Sequence, residues 1–371
     1  MSVATDLGNI EILRESGEPD GSRPVCLALH ADDARRLPVW LRRRPHLKLS
    51  HLLILPADRP QPDLTLAIPE ANGRPLVSHD PSLLADLSAS DIVLLFPRYG
   101  FVTGASMRFQ ALANRKIYLA GNLPEQFGKR QPLPDFYKNN AASLEKAYDL
   151  LEADSDRQTF ARRVKAIASG DPGYLPIAPF FEYEHPLTRP RKGDIMIDGG
   201  ISDMVGAQMA FANAVGPEGS IHGFEPIEWM ALAAQKALSG FPWYHLHCAG
   251  VADSDGTAEF ASLRDSSHIA ARQGSDTVTC QLVAIDNFAR RENLDHIDCI
   301  KLDVEGAELS ALKGAEKVIQ RDLPRLIICL YHKPADLHEI PLYLHEIAPE
   351  YKFRLAHSSP GFTDTILYCE K

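Results

Sequence analysis

The chain has 371 residues, 45% hydrophobic and 24% charged, with a net charge of -10. This length fits two domains, each able to bury a core, and the acidic balance argues against nonspecific binding to nucleic acid or anionic membrane. No apolar run approaches the roughly 18 residues that span a bilayer.

The N-terminus, Met1-Ser2-Val3-Ala4-Thr5-Asp6, has neither a basic region nor an apolar one after it, so a cytoplasmic protein is expected. Strand and helix then alternate. Residues 25–30, 51–55, 91–96 and 116–120 read as strands, and 31–44 and 107–114 as helices. Such alternation predicts a parallel sheet. Residues 141–168 carry Leu144, Tyr148, Leu151, Phe160, Val164 and Ile167 at helical spacing and read as one helix. Five prolines between 171 and 190 exclude helix or central strand, which puts a domain boundary near residue 170. The N-terminal domain, 1–170, is expected to be a smaller α/β unit for substrate recognition or dimerisation, the latter giving a homodimer.

After the boundary the pattern is clearer. Strands are expected at 194–197, 220–224, 243–248, 299–302 and 325–331, with an edge excursion at 257–261 and 277–283. Helices are expected at 204–215, 227–238, 308–320 and 336–347, the last broken at Pro341. Residues 351–356 and 363–369 read as an antiparallel hairpin that finishes a parallel α/β sheet. The six cysteines form no Cys-x-x-Cys pair and lie mostly in strand-like runs, so they read as reduced core residues.

Acids and glycines at strand ends carry the chemistry. Asp198-Gly199-Gly200 ends the first strand of the second domain, where glycines let the backbone pass close to a ligand. The Gly-x-Gly-x-x-Gly spacing of a pyrophosphate cradle is absent, so a ligand without phosphate is expected. Glu225, in Gly223-Phe224-Glu225-Pro226, ends the second strand and suits a ribose diol, or a helix dipole. Ala249 and Gly250 follow the third strand, and Cys248 and Ala249 could border a purine with Asp253 at its amine; a plain turn fits equally. Asp303 directly follows the apolar Ile300 and Leu302. Glu305 and Glu308 read as acids of a first helical turn. His332 and His357, each at a strand end, are candidate general bases. Together with Asp303 they could instead hold a metal, but no local His-x-His spacing supports this and none is expected.

Four motifs resemble the FkbM-type methyltransferase family: Ile197-Asp198-Gly199-Gly200, Gly223-Phe224-Glu225-Pro226, Ile285-Asp286-Asn287-Phe288, and Asp298 through Glu308. The resemblance covers about residues 175–371. It implies a class I Rossmann-like fold, S-adenosyl-L-methionine as methyl donor, and usually O-methylation of a sugar, polyketide or related small molecule in biosynthesis. The donor is then expected to lie against Asp198, Gly199, Gly200, Glu225, Pro226, Ala249, Gly250, Asp253 and Asp303. Asp303, His332 and His357 are expected to face the acceptor. The family commonly has Gly-Ala-Asn after its first acid, where this chain has Gly199-Gly200-Ile201-Ser202. Rival readings are a nicotinamide-dependent oxidoreductase, which the missing glycine spacing opposes, and a noncatalytic binding protein on the same fold.

Overall fold

The structure is a computed structural model. It describes residues 2–7, 10–11, 13–16, 19–30, 36–55, 68–78, 90–95, 117–120, 129–178, 180, 182–201, 205–261, 277–359 and 361–371. The helix expected at 107–114 lies outside them. The chain divides into two compact units, one of residues 1–140, 158–181 and 356–364, the other of 141–157, 182–355 and 365–371.

The first unit begins with α1 (Val3–Leu7), β1 (Arg14–Ser16), β2 (Val25–His30), α2 (Leu37–Arg42), β3 (Leu49–Leu55), β4 (Leu76–Ser78), β5 (Asp91–Leu95) and β6 (Ile117–Ala120). Its sheet runs β1-β6-β5-β2-β3-β4, and every neighbouring pair is parallel. Val25, Leu27 and Leu29 share one buried cluster with Leu52, Ile54, Val93 and Leu95, while Cys26 and Ala28 are buried as well. Burial of successive residues explains the near-continuous apolar runs, since a parallel sheet is covered on both faces.

The single helix expected at 141–168 is two, α3 (Phe136–Asp149) and α4 (Asp154–Ser169). Between them Leu151 bridges to Phe353, and the N–H of Glu152 donates to the Phe353 carbonyl. Asp156 then reaches back to the Ala153 N–H at 3.4 Å, a side-chain cap that restarts the helix.

The second unit continues with β7 (Ile195–Gly199), α5 (Gly206–Val215), β8 (Ser220–Phe224), α6 (Glu228–Ala237), β9 (Tyr244–His247), β10 (Gly250–Val251), β11 (Gly256–Ala261), β12 (Thr277–Val283), α7 (Ile285–Arg291), β13 (Cys299–Leu302), α8 (Glu308–Lys313), α9 (Glu316–Asp322), β14 (Arg325–Cys329), α10 (Asp336–Ile347), β15 (Lys352–His357) and β16 (Thr365–Glu370). Its seven-stranded sheet runs β15-β16-β14-β13-β7-β8-β9. Strands β14, β13, β7, β8 and β9 are parallel, and β16 is antiparallel to β14. This is a class I methyltransferase-like sheet. Because β7 lies between β8 and the much later β13, chain order reverses there. The crevice beyond the carboxyl ends of such strands is where open α/β sheets bind ligands.

Two helix expectations are corrected. The helix expected at 308–320 breaks at Gly314, where an added Cβ would lie 2.0 Å from the Ala252 carbonyl oxygen. Asp286 then accepts from the N–H groups of Lys317 and Val318 and starts α9. Helix α10 runs unbroken through Pro341. The proline removes one N–H, and the full burial of Leu337, Ile340 and Leu344 offsets the loss.

Candidate active site

Asp198 is the fourth residue of β7 and has no exposed surface. The protein itself engages its carboxylate. Oδ2 accepts from Tyr244 Oη at 2.7 Å and Gln208 Nε2 at 3.4 Å, and Oδ1 lies 3.1 Å from Lys301 Nζ. Lys301, on the neighbouring β13, is 1% exposed and also donates to the carbonyls of Gly199 and Gly200. Burial pulls its pKa down, but Asp198 and Asp303 outweigh that and raise it, so the ammonium stays charged.

Gly200 turns the chain at φ +81°, and an added Cβ would lie 1.7 Å from the Asp303 carbonyl oxygen. Only glycine fits this turn. Its N–H donates to the Phe224 carbonyl, and the Asp303 N–H to the Gly199 carbonyl. The ends of β7, β8 and β13 are thus laced together.

Glu225 directly follows β8 and is 2% exposed, with Oε1 accepting from the Ile227 N–H at 2.9 Å. Burial raises its carboxyl to about 7, against the opposing pull of the Ile227 and Ile201 N–H groups and of Lys301. Pro226 and Cys248 line one open cleft of about 460 Å³ with Ile227, Trp229, Leu246 and Val278. Ala249 donates its N–H to the His247 carbonyl, and Gly250 pairs with Leu282. Asp253 is exposed; its N–H donates to Ser310 Oγ and its carboxylate accepts from Ser254.

Asp303 accepts from Tyr183 Oη at 2.7 Å on Oδ2 and from Tyr331 Oη at 2.8 Å on Oδ1. Burial raises its pKa, but the charges of Lys301 and His332 and the two phenol bonds outweigh that and hold it below the usual carboxylate range. His332 stands among three acids. Nε2 is 3.5 Å from Asp303 Oδ1 and 3.5 Å from Glu305 Oε2, and Nδ1 is 2.8 Å from Glu308 Oε1. Burial lowers the imidazole pKa, and the acids, Glu308 foremost, more than reverse it. Glu308 also accepts from the N–H groups of Val304 and Gly306, so the expected role at the helix start is present alongside the contact with His332.

Of the acceptor-side candidates, the structure brings Asp303 and His332 together. His357, the last residue of β15, is fully buried and falls in the first unit, where its carbonyl accepts from the Ala178 N–H. Sequence reasoning missed Lys301, Tyr244, Gln208, Tyr183 and Tyr331. Lys301 carried a signal, a lone cation in a buried strand between Ile300 and Leu302. Tyr183 carried none, since it sits in the proline-rich stretch.

Comparison with known proteins agrees with the α/β fold. No curated protein matches the chain. A methyltransferase FkbM from Methylobacillus flagellatus KT has a solved structure at 19% identity and a TM-score of 0.51, covering 93% of this chain and 90% of that one. A fibrillarin from Aeropyrum pernix, solved with natively bound S-adenosyl-L-methionine, is 12% identical over 48% of this chain and 66% of that one, with a TM-score of 0.32. Residues 198–355 match the model of the methyltransferase FkbM domain.

Proposed function

We propose that this domain transfers a methyl group from S-adenosyl-L-methionine to a hydroxyl of a small molecule such as a sugar or polyketide. The observation that carries the reading is the convergence of the Gly199-Gly200 turn, Glu225 and Asp303 at the carboxyl ends of β7, β8 and β13, the three strands at the reversal of chain order. Glu225 accepts the ribose hydroxyls, a role its position directly after β8 supports. The cleft beside Pro226 and Cys248 offers an apolar wall to the adenine, with Ala249, Gly250 and Asp253 at its border. Asp198 acts indirectly, fixing the glycine turn through Lys301. Asp303 and His332 take the acceptor side.

In the reaction the acceptor oxygen bonds to the methyl carbon as the carbon–sulfur bond breaks and its electron pair returns to sulfur. The hydroxyl proton leaves toward the Asp303–His332 pair. Such a displacement depends chiefly on alignment and on removing the proton.

Calorimetry with S-adenosyl-L-methionine, S-adenosylhomocysteine and NAD, each added alone, tests the reading. Binding of the first two and not NAD is expected, with strong weakening in Glu225→Ala. Binding of NAD alone would move the protein to the oxidoreductase reading. Unchanged donor affinity in Glu225→Ala would remove the ribose assignment.

A further inference from the structure

We propose that Asp303, Glu308 and His332 form a binding site for a divalent first-row transition metal. One ligand atom from each of the three lies within 4.8 Å of the other two. His332 Nε2 is 3.5 Å from Asp303 Oδ1, and Nδ1 is 2.8 Å from Glu308 Oε1. Tetrahedral ligands about 2.1 Å from a shared ion stand about 3.4 Å apart. Asp303 faces Nε2 and Glu308 faces Nδ1, so the imidazole or one carboxylate must rotate to bring one ring nitrogen and both acids onto one ion.

A second observation points the same way. Glu308 has no exposed surface, and its Oε2 has no hydrogen-bond partner. That oxygen belongs to the carboxylate whose other oxygen touches His332. Nε2 of His332, whose side chain is 9% exposed, has carboxylate oxygens no nearer than 3.5 Å. Buried polar atoms in this state carry an unmet desolvation cost, larger for a charged group. A bound cation would meet it.

Charge supports an ion as well. Asp303, Glu305 and Glu308 surround one imidazole. Lys301 is shared with Asp198, and Lys333 is turned to the Gly306 carbonyl. A dication offsets three carboxylates better than one imidazolium does. One imidazole and two carboxylates suit manganese, iron or zinc, whereas magnesium and calcium prefer oxygen alone. Three protein ligands leave a position open. Where the methyltransferase reading holds, that position takes the acceptor hydroxyl and the ion would lower its pKa, so that with the ion bound the proton leaves without Asp303 or His332 as its base. The binding of the ion does not rest on that reading.

The test uses the full chain, stripped with a chelator and titrated separately with Mn²⁺, Zn²⁺ and Mg²⁺ in the absence of any methyl donor. One equivalent of Mn²⁺ or Zn²⁺ is expected, with Mg²⁺ weaker. Glu308→Gln and His332→Gln should each weaken binding by at least about tenfold. Circular dichroism without metal checks that each variant is folded. Should neither fold, spin-echo spectroscopy of Mn²⁺ on the wild-type chain decides, since a histidine ligand modulates the echo through its nitrogen. The proposal is overturned by no stoichiometric uptake, by uptake that survives both substitutions, or by Mn²⁺ without nitrogen modulation. A separate donor titration reports on the methyltransferase reading, so the two can fail independently.

Discussion

Glu225 connects local electrostatics to ligand binding. Its carboxyl is raised from 4.5 to about 7 by burial. A folded-state pKa above the unfolded value means the native protein favours the neutral acid. Its contribution to stability is therefore full below about pH 4.5 and lost as pH rises through about 7. Under the proposed ribose role, ligand binding runs the other way, because ribose hydroxyls donate best to the ionised form. Donor affinity is expected to weaken by up to about tenfold per unit below pH 7, and Glu225→Gln should flatten the profile. A flat wild-type profile, measured by calorimetry from pH 5.5 to 8.5, would contradict this role. Gly200 is the second sensitive position. Alanine there meets both the left-handed φ and the Asp303 carbonyl. Gly200→Ala should cost at least about 2 kcal/mol in urea unfolding and abolish donor binding.

At the scale of elements, Lys301 ties β13 to β7 through Asp198. Removing one partner of a buried pair strands the other charge. Lys301→Met should therefore cost about 3–5 kcal/mol, and Asp198→Asn in the same chain should restore part of it. Additive losses in urea unfolding would show that the two do not act as a pair. The strands were largely legible in the sequence, because buried parallel strands are short apolar runs; β8, β12 and β13 span the residues their hydrophobicity outlines. The helices at 141–168 and 308–320 were not, because their breaks depend on Asp156, Asp286 and the backbone at Ala252, which periodicity does not register. The site divides in the same way. Acids at strand ends could be read from position alone. The phenols of Tyr183 and Tyr331 and the contact between Glu308 and His332 arise only when residues distant in sequence meet.

For the molecule as a whole, two compact units predict more than one unfolding transition. Asp198, Glu225 and Asp303 all fall in the second unit. A donor at 100 times its dissociation constant should stabilise that unit by about 2.7 kcal/mol. Scanning calorimetry should then show one transition moving and the other unmoved; displacement of both by the same amount would mean that the units melt as one. Among the described residues no helix is long and apolar enough to cross a membrane.

Asp303 borrows one of its two phenol hydroxyls from a residue 120 positions earlier. The family match begins at residue 198, fifteen residues after Tyr183. A fragment trimmed to that match would cut β7 to its last two residues and leave Oδ2 of Asp303 without the Tyr183 hydroxyl. A clone of the second sheet for expression should therefore begin upstream of Tyr183. A shorter piece would report a different acidity for Asp303.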